Sequence, residues 1–228
     1  MLCCIGGRRK KAWVPIIDEK TAISAMYTSQ TTLYFGYGSN LWKHQMQQRC
    51  PTSKYLGIAR LNGYRWISYD RGYANIVEIE KDDSEPAAYE DEVWGLVYSL
   101  EQKDEDKLDV NEGVPFAYTK EYVKIDFWET GKDAKPDTEK KPKQVDMLVY
   151  INRKMTTPHK PKKEYIYRMN QGIKDALKEG VPKKYVEKVM RPFIPDVEDD
   201  KVAEVAKKQT LVFKDERSAE NYERELEV

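Results

Sequence analysis

Cysteine and histidine are the scarcest chemistry-bearing residues of this 228-residue chain, at three and two. Cys3 and Cys4 are adjacent and Cys50 stands alone downstream, so no disulfide framework can be drawn and a reducing, cytoplasmic setting is expected. His44 and His159 have no second histidine or cysteine at ligand spacing, which argues against a metal centre. No window approaches the roughly 20 apolar residues of a membrane span, and the N-terminus lacks the apolar core of a secretory signal. The 39 basic and 39 acidic side chains cancel, which removes any global field for nucleic acid or an anionic membrane. Asn-x-Ser/Thr acceptors are also missing.

Two further absences concern motifs. Gly36 and Gly38 follow a hydrophobic run and open a helical stretch, as in a dinucleotide loop, but Leu41 occupies the place of the third glycine. There is no Gly-Lys-Ser/Thr, and the strands read as antiparallel rather than doubly wound, so a nucleotide site is disfavoured. Ser39 lacks both a histidine in a partner motif and the glycine that follows a nucleophile-elbow serine.

What is present is a long succession of strands. A β-branched and aromatic run begins at Thr32, and "NLWKHQMQQRCP" then predicts a short helix stopping before Pro51. The runs "KYLGIARLNGYRWISYD", "YANIVEIE", "DEVWGLVYSL", "EYVKIDFWE" and "VDMLVYIN" alternate or carry β-branched apolar residues. They predict an α+β fold whose small, mostly antiparallel sheet curls into a barrel with helices around it. Residues 130–144 are charged and contain proline, the mark of a solvated excursion. From Lys163 the period becomes 3.6, with Tyr165, Ile166, Met169, Ile173 and Leu177 on one face before Gly180-Val181-Pro182 ends the helix. "KKYVEKVMRPF" predicts a second helix. Three segments result: a flexible N-terminal arm over 1–31, a globular domain over 32–195, and a charged, partly helical tail over 196–228 lying outside the core.

Two stretches stand out. In "LYFGYGSN" the glycine pair after a strand marks either a tight turn or an anion cradle. In "KLDVNEGVPFAY", Glu112 sits between Asn111 and Gly113, with Val114, Phe116 and Tyr118 as candidate apolar walls. A glutamate in so charged a chain is ordinarily solvent-facing, whereas apolar walls would raise its pKa and suit it to acid/base work.

Taken together, "YFGYGSN", "RGYANIVEIE", "DEVWGLVYSL", "LDVNEGVPFAY" and "EYIYRMNQGIKDALKEGVP" resemble the γ-glutamylcyclotransferase family in order and spacing over roughly residues 32–195. The resemblance implies a small barrel with surrounding helices and a cofactor-free reaction. In it, a γ-glutamyl amine attacks its own γ-carbonyl, giving 5-oxoproline and a released amine or amino acid. It implies Glu112 as the general acid/base, Tyr37, Gly38, Ser39 and Asn40 as the substrate-cradling loop, and Tyr118 and Tyr165 as aromatic residues bordering the pocket. Backbone N–H groups beside Gly36 and Gly38 would then face the substrate's carboxylate and carbonyl oxygen. In the family pattern alanine often stands at the place of Gly36, a departure expected to be harmless. Its glutathione-specific branch reads Tyr-Gly-Ser-Leu, so Asn40 points towards γ-glutamyl dipeptides or γ-glutamylamines.

Other readings stay open at this stage. A non-catalytic relative would keep the barrel and bind a small acidic metabolite or a protein partner. Cys3 and Cys4 beside Arg8-Arg9-Lys10-Lys11 form a candidate lipidation site without membrane insertion, and Leu2 excludes myristoylation. A homodimer is compatible with everything above.

Overall fold

The computed structural model describes residues 31–80, 88–132, 134–197 and 200–211. The expected N-terminal arm, with the candidate lipidation site at Cys3 and Cys4, lies outside these residues. Seven strands and four helices organise the described chain, with two single 3-10 turns at Ser39–Leu41 and Tyr89–Asp91. In chain order they are β1 (Thr31–Gly36), α1 (Lys43–Arg49), β2 (Lys54–Asn62), β3 (Tyr64–Ser68), β4 (Ala74–Glu78), β5 (Glu92–Glu101), α2 (Gln102–Glu112), β6 (Thr119–Glu129), β7 (Lys143–Ile151), α3 (Lys163–Glu179) and α4 (Asp200–Leu211). A short helical piece at Lys183–Tyr185 runs into one π-turn at Val186–Met190.

The expected barrel is present, closed in the order β1-β5-β2-β6-β7, and β3 and β4 form a separate two-stranded sheet. The closing pair β1–β7 is parallel, with Tyr34 opposite Leu148, whereas β2–β5, β2–β6 and β6–β7 are antiparallel. Burial follows from alternation and from the continuous apolar run of β5, which is buried from Glu92 to Leu100. The run expected as one long strand over residues 54–70 is cut in two by Gly63, whose φ of +77° turns the chain between β2 and β3. Gly95 lets β1 and β5 meet: a Cβ there would lie 2.5 Å from the Gly36 carbonyl oxygen.

α1 and α3 pack against the Ser39–Leu41 turn, and α4 packs against α1 and α3. α3 spans the predicted residues and ends at Gly180, which adopts φ +109° and donates to the carbonyls of Ala176 and Leu177. Gly172 allows α3 to approach the Ser39–Leu41 turn, since a Cβ would lie 2.9 Å from that of Leu41. α2 ends at Glu112 because Gly113 takes the left-handed conformation, φ +65°. The tail departs from the expectation that it lies outside the core. α4 packs against α1 and α3, with Ala206 and Thr210 buried, because its small side chains permit close approach in an otherwise charged segment. Among the described residues no helix is long and apolar enough to cross a membrane.

Candidate active site

The residues quoted from "YGSN" and "NEGVPFAY" come together although 72 positions separate Asn40 from Glu112. β1 delivers the loop at the barrel mouth, and α2 delivers Glu112 as its final helical residue. Asn40 Nδ2 donates to Glu112 Oε1 at 3.1 Å and to the Tyr34 hydroxyl at 2.8 Å. Its Oδ1 accepts from Gln45 Nε2 at 2.8 Å and from Arg49 Nη1 at 3.2 Å. The Tyr98 hydroxyl donates to the Asn40 carbonyl at 3.1 Å. All four amide hydrogen-bond sites of this side chain are thus used, which fixes which way the amide faces.

Glu112 keeps 18 % side-chain exposure, yet its carboxyl pKa is raised. Desolvation is the leading cause, and it outweighs the lowering influence of Arg49, the Asn40 amide, Arg168 and Arg71. Its place at the C-terminal end of α2, with no basic side chain in the last turn, acts in the same direction, because a helix C-terminus disfavours negative charge. Arg49 Nη1 approaches to 3.9 Å without a direct hydrogen bond.

Ser39 belongs to a second, connected network. Its Oγ accepts from Arg168 Nη1 at 3.0 Å and from Gln45 Nε2 at 2.9 Å, and Arg168 forks onto Glu164 at 2.8 and 3.0 Å. The Tyr165 hydroxyl accepts from the backbone N–H of Ser39 at 3.2 Å and of Ala74 at 3.1 Å. The Tyr118 hydroxyl donates to the Ala74 carbonyl at 2.8 Å, and that of Tyr37 to the Tyr150 carbonyl at 2.6 Å.

Two expectations change. The loop glycines do not free every N–H for a ligand: that of Ser39 goes to Tyr165, those of Leu41 and Trp42 to the carbonyls of Gly38 and Ser39. Neither Gly36 nor Gly38 has a positive φ. Gly38 is needed for crowding within the protein, since a Cβ would lie 3.0 Å from the Tyr165 hydroxyl and 3.1 Å from Ala74 Cβ. Phe116, read as an apolar wall, is 56 % exposed, whereas Tyr118 is buried. The cis Val114–Pro115 bond lies between Glu112 and Phe116.

Sequence reading missed the cations. Arg49 and Arg168 are buried, at 4 % and 1 % exposure, and Arg71 at 8 %. The available signal for Arg168 was its position between Tyr165 and Met169 on the buried face of α3, where counting only apolar residues passes over a guanidinium.

This geometry, a small closed barrel with a desolvated glutamate facing a glycine-serine-asparagine loop, finds its class in comparison with known proteins. The model of the γ-glutamyl cyclotransferase, AIG2-like family matches residues 34–170, and the chain belongs to that family. A mouse γ-glutamylcyclotransferase is 25 % identical over 169 residues, covering 70 % of this chain and 78 % of the relative. A bovine γ-glutamylcyclotransferase is 30 % identical over 95 residues, covering 37 % of this chain and 46 % of the relative. Among solved structures, one titled γ-glutamyl cyclotransferase aligns with a TM-score of 0.58 at 23 % identity, covering 78 % of this chain and 99 % of its own.

Proposed function

We propose that this protein converts a γ-glutamyl amino acid or γ-glutamylamine into 5-oxoproline and the free amino acid or amine, with Glu112 as general acid/base. The observation that carries the reading is the half-buried, desolvated Glu112 held by the Asn40 amide beside the Tyr37–Asn40 loop. The attacking α-amine has a pKa of about 8 and is mostly protonated at neutral pH. A carboxylate with a raised pKa can take its proton. The freed amine nitrogen then bonds to the γ-carbonyl carbon and sheds a second proton, the bond from that carbon to the leaving nitrogen breaks, and that nitrogen takes up both protons, one of them returned by Glu112, to depart as an ammonium ion. Such proton transfer typically contributes about 10²- to 10⁴-fold.

Because both reacting groups belong to one molecule, the site's remaining task is to hold the γ-glutamyl group in its cyclising shape. The buried hydroxyls of Tyr118 and Tyr165 and the loop Tyr37-Gly38-Ser39-Asn40 are the residues for that task. The chemistry needs no cofactor. Asn40 favours dipeptide or amine substrates over glutathione.

The test is 5-oxoproline release from a panel of γ-glutamyl dipeptides, γ-glutamylamines and glutathione. Release by wild type that vanishes in Glu112→Gln, with the fold intact by circular dichroism, supports the reading and names the substrate branch. A folded wild type that releases none from any of them overturns it in favour of a non-catalytic binding module.

A further inference from the structure

The Arg49 guanidinium is shared between Asn40 and a helix that the family match, ending at residue 170, does not include. Nε donates to the Thr210 carbonyl at 3.2 Å and Nη2 to the Gln209 carbonyl at 3.0 Å. Both carbonyls belong to α4, and a carbonyl oxygen has two lone pairs, so each can accept from a guanidinium. Nη1 donates to Asn40 Oδ1. Each of the three guanidinium nitrogens thus donates a hydrogen bond, and the cation stands 3.9 Å from Glu112, beyond the 2.7–2.9 Å typical of a charge-assisted contact.

We propose that α4 is a working part of the site, whose Gln209 and Thr210 carbonyls hold Arg49 off Glu112 and so keep that carboxylate available to accept a proton. A buried arginine and a half-buried glutamate would otherwise close into a direct ion pair, and a base neutralised that way takes up protons only at lower pH. Two acceptors from α4 compete for the cation, and Ala203, Ala206 and Thr210 anchor the helix. Arg49 is in this sense a positioning residue. The consequence for catalysis rests on the acid/base reading of Glu112, whereas the electrostatic claim does not.

Other groups near Glu112 leave the assignment to Arg49 intact. Arg168 from α3 and Arg71 from the β3–β4 connection also lower its pKa, but less than Arg49, and Arg168 is forked onto Glu164. Tyr34 and Tyr37 from β1 and its loop, Tyr118, Tyr150 and Tyr165 are held well above their usual values by burial. Burial likewise pushes the Cys50 thiol up to about 12. None of these changes charge in the range where Glu112 does.

The experiment is a pH titration of the Glu112 side-chain carboxyl by ¹³C NMR in the full chain, assigned by the loss of its signal in Glu112→Gln. Ala206→Gln, which wedges α4 off α1 and α3, is expected to move the midpoint down by about one pH unit. That is the Coulombic gain from closing 3.9 Å to contact at an effective dielectric of about 20. Arg49→Gln is expected to move it up. Glu204→Gln, on the exposed face of α4, leaves it in place.

An unchanged or raised midpoint in Ala206→Gln, with hydrogen exchange reporting that α4 is released, overturns the proposal. Ala203→Gln, one turn earlier, serves if Ala206→Gln does not fold, and a fall in Arg49→Gln overturns the proposal by itself. A shifted midpoint in a protein that releases no 5-oxoproline would uphold the electrostatic role while removing the cyclotransferase reading. If turnover is present, the acidic limb of kcat/KM shifts with the NMR midpoint.

Discussion

Asn40 holds Glu112 through a single 3.1 Å hydrogen bond from an amide whose orientation is dictated by Gln45 and Arg49 on its other side. The asparagine is therefore a connector between the two buried cations' network and Glu112. Asn40→Asp replaces the donor with a second carboxylate. The acidic limb of kcat/KM should move to higher pH, and turnover at pH 7 should fall about tenfold or more. The latter follows from the roughly 1.5–3 kcal/mol carried by a hydrogen bond to a charged group. An unshifted pH profile would remove Asn40 from this role.

Glu112→Gln should lose activity by about 10²- to 10⁴-fold and, at neutral pH, gain thermal stability. The sign follows from a folded-state pKa raised above the unfolded one by burial. The neutral carboxyl's contribution is complete below the unfolded pKa and is lost as pH rises through the folded value. Wild-type Tm should therefore fall across that window relative to the variant, and the gap should vanish by pH 4. A variant less stable than wild type at pH 7.5, with no pH-dependent gap, contradicts the prediction.

Gly95→Ala and Gly36→Ala should separate sharply in denaturant unfolding. The first puts a methyl 2.5 Å from the Gly36 carbonyl oxygen and 2.7 Å from the Phe35 ring, so β1 and β5 must move apart, at about 1–3 kcal/mol or more. The second meets nothing nearer than 3.4 Å and has no positive φ, so its change should stay within about 1 kcal/mol.

Tyr165→Phe removes the one oxygen that accepts from both Ser39 and Ala74 N–H. Leaving buried donors unpaired should lower stability by about 1–3 kcal/mol. Bound 5-oxoproline, whose oxygens can take up those donors, should raise the Tm of the variant more than that of wild type. Equal shifts would separate these N–H groups from ligand binding.

The barrel, its strands and the extent of α3 were legible in the sequence because alternation, a 3.6 period and the Gly180-Val181-Pro182 stop are local signals. The junction at Gly63 was also local, but its neighbours Asn62 and Tyr64 continue the strand pattern on both sides, which hid the turn. Asn40 and Glu112 were found as motif residues. Arg49, Arg168 and Gln45 were not, because a buried polar side chain is defined by partners far along the chain, such as Arg49 with Gln209 and Thr210. Phe116 was misplaced for the opposite reason: apolar character does not settle burial in a loop that Pro115 turns. The docking of α4 rests on alanines at 203 and 206, too small to give an amphipathic signal amid charge.

The pairing of Tyr34 with Leu148 joins the first strand of the barrel to the last. During synthesis, a chain that has reached residue 142 still presents β1 and β6 as open edges, the kind of surface that recruits other strands. Only when residues 143–151 emerge can the circle shut, and contacts of such long sequence separation form slowly. Tyr37 reaches its acceptor, the Tyr150 carbonyl, at that same moment. The loop that faces Glu112 is thus tied down by the closing strand, so a nascent or nicked chain lacking β7 would be aggregation-prone and its candidate site unassembled for one and the same reason.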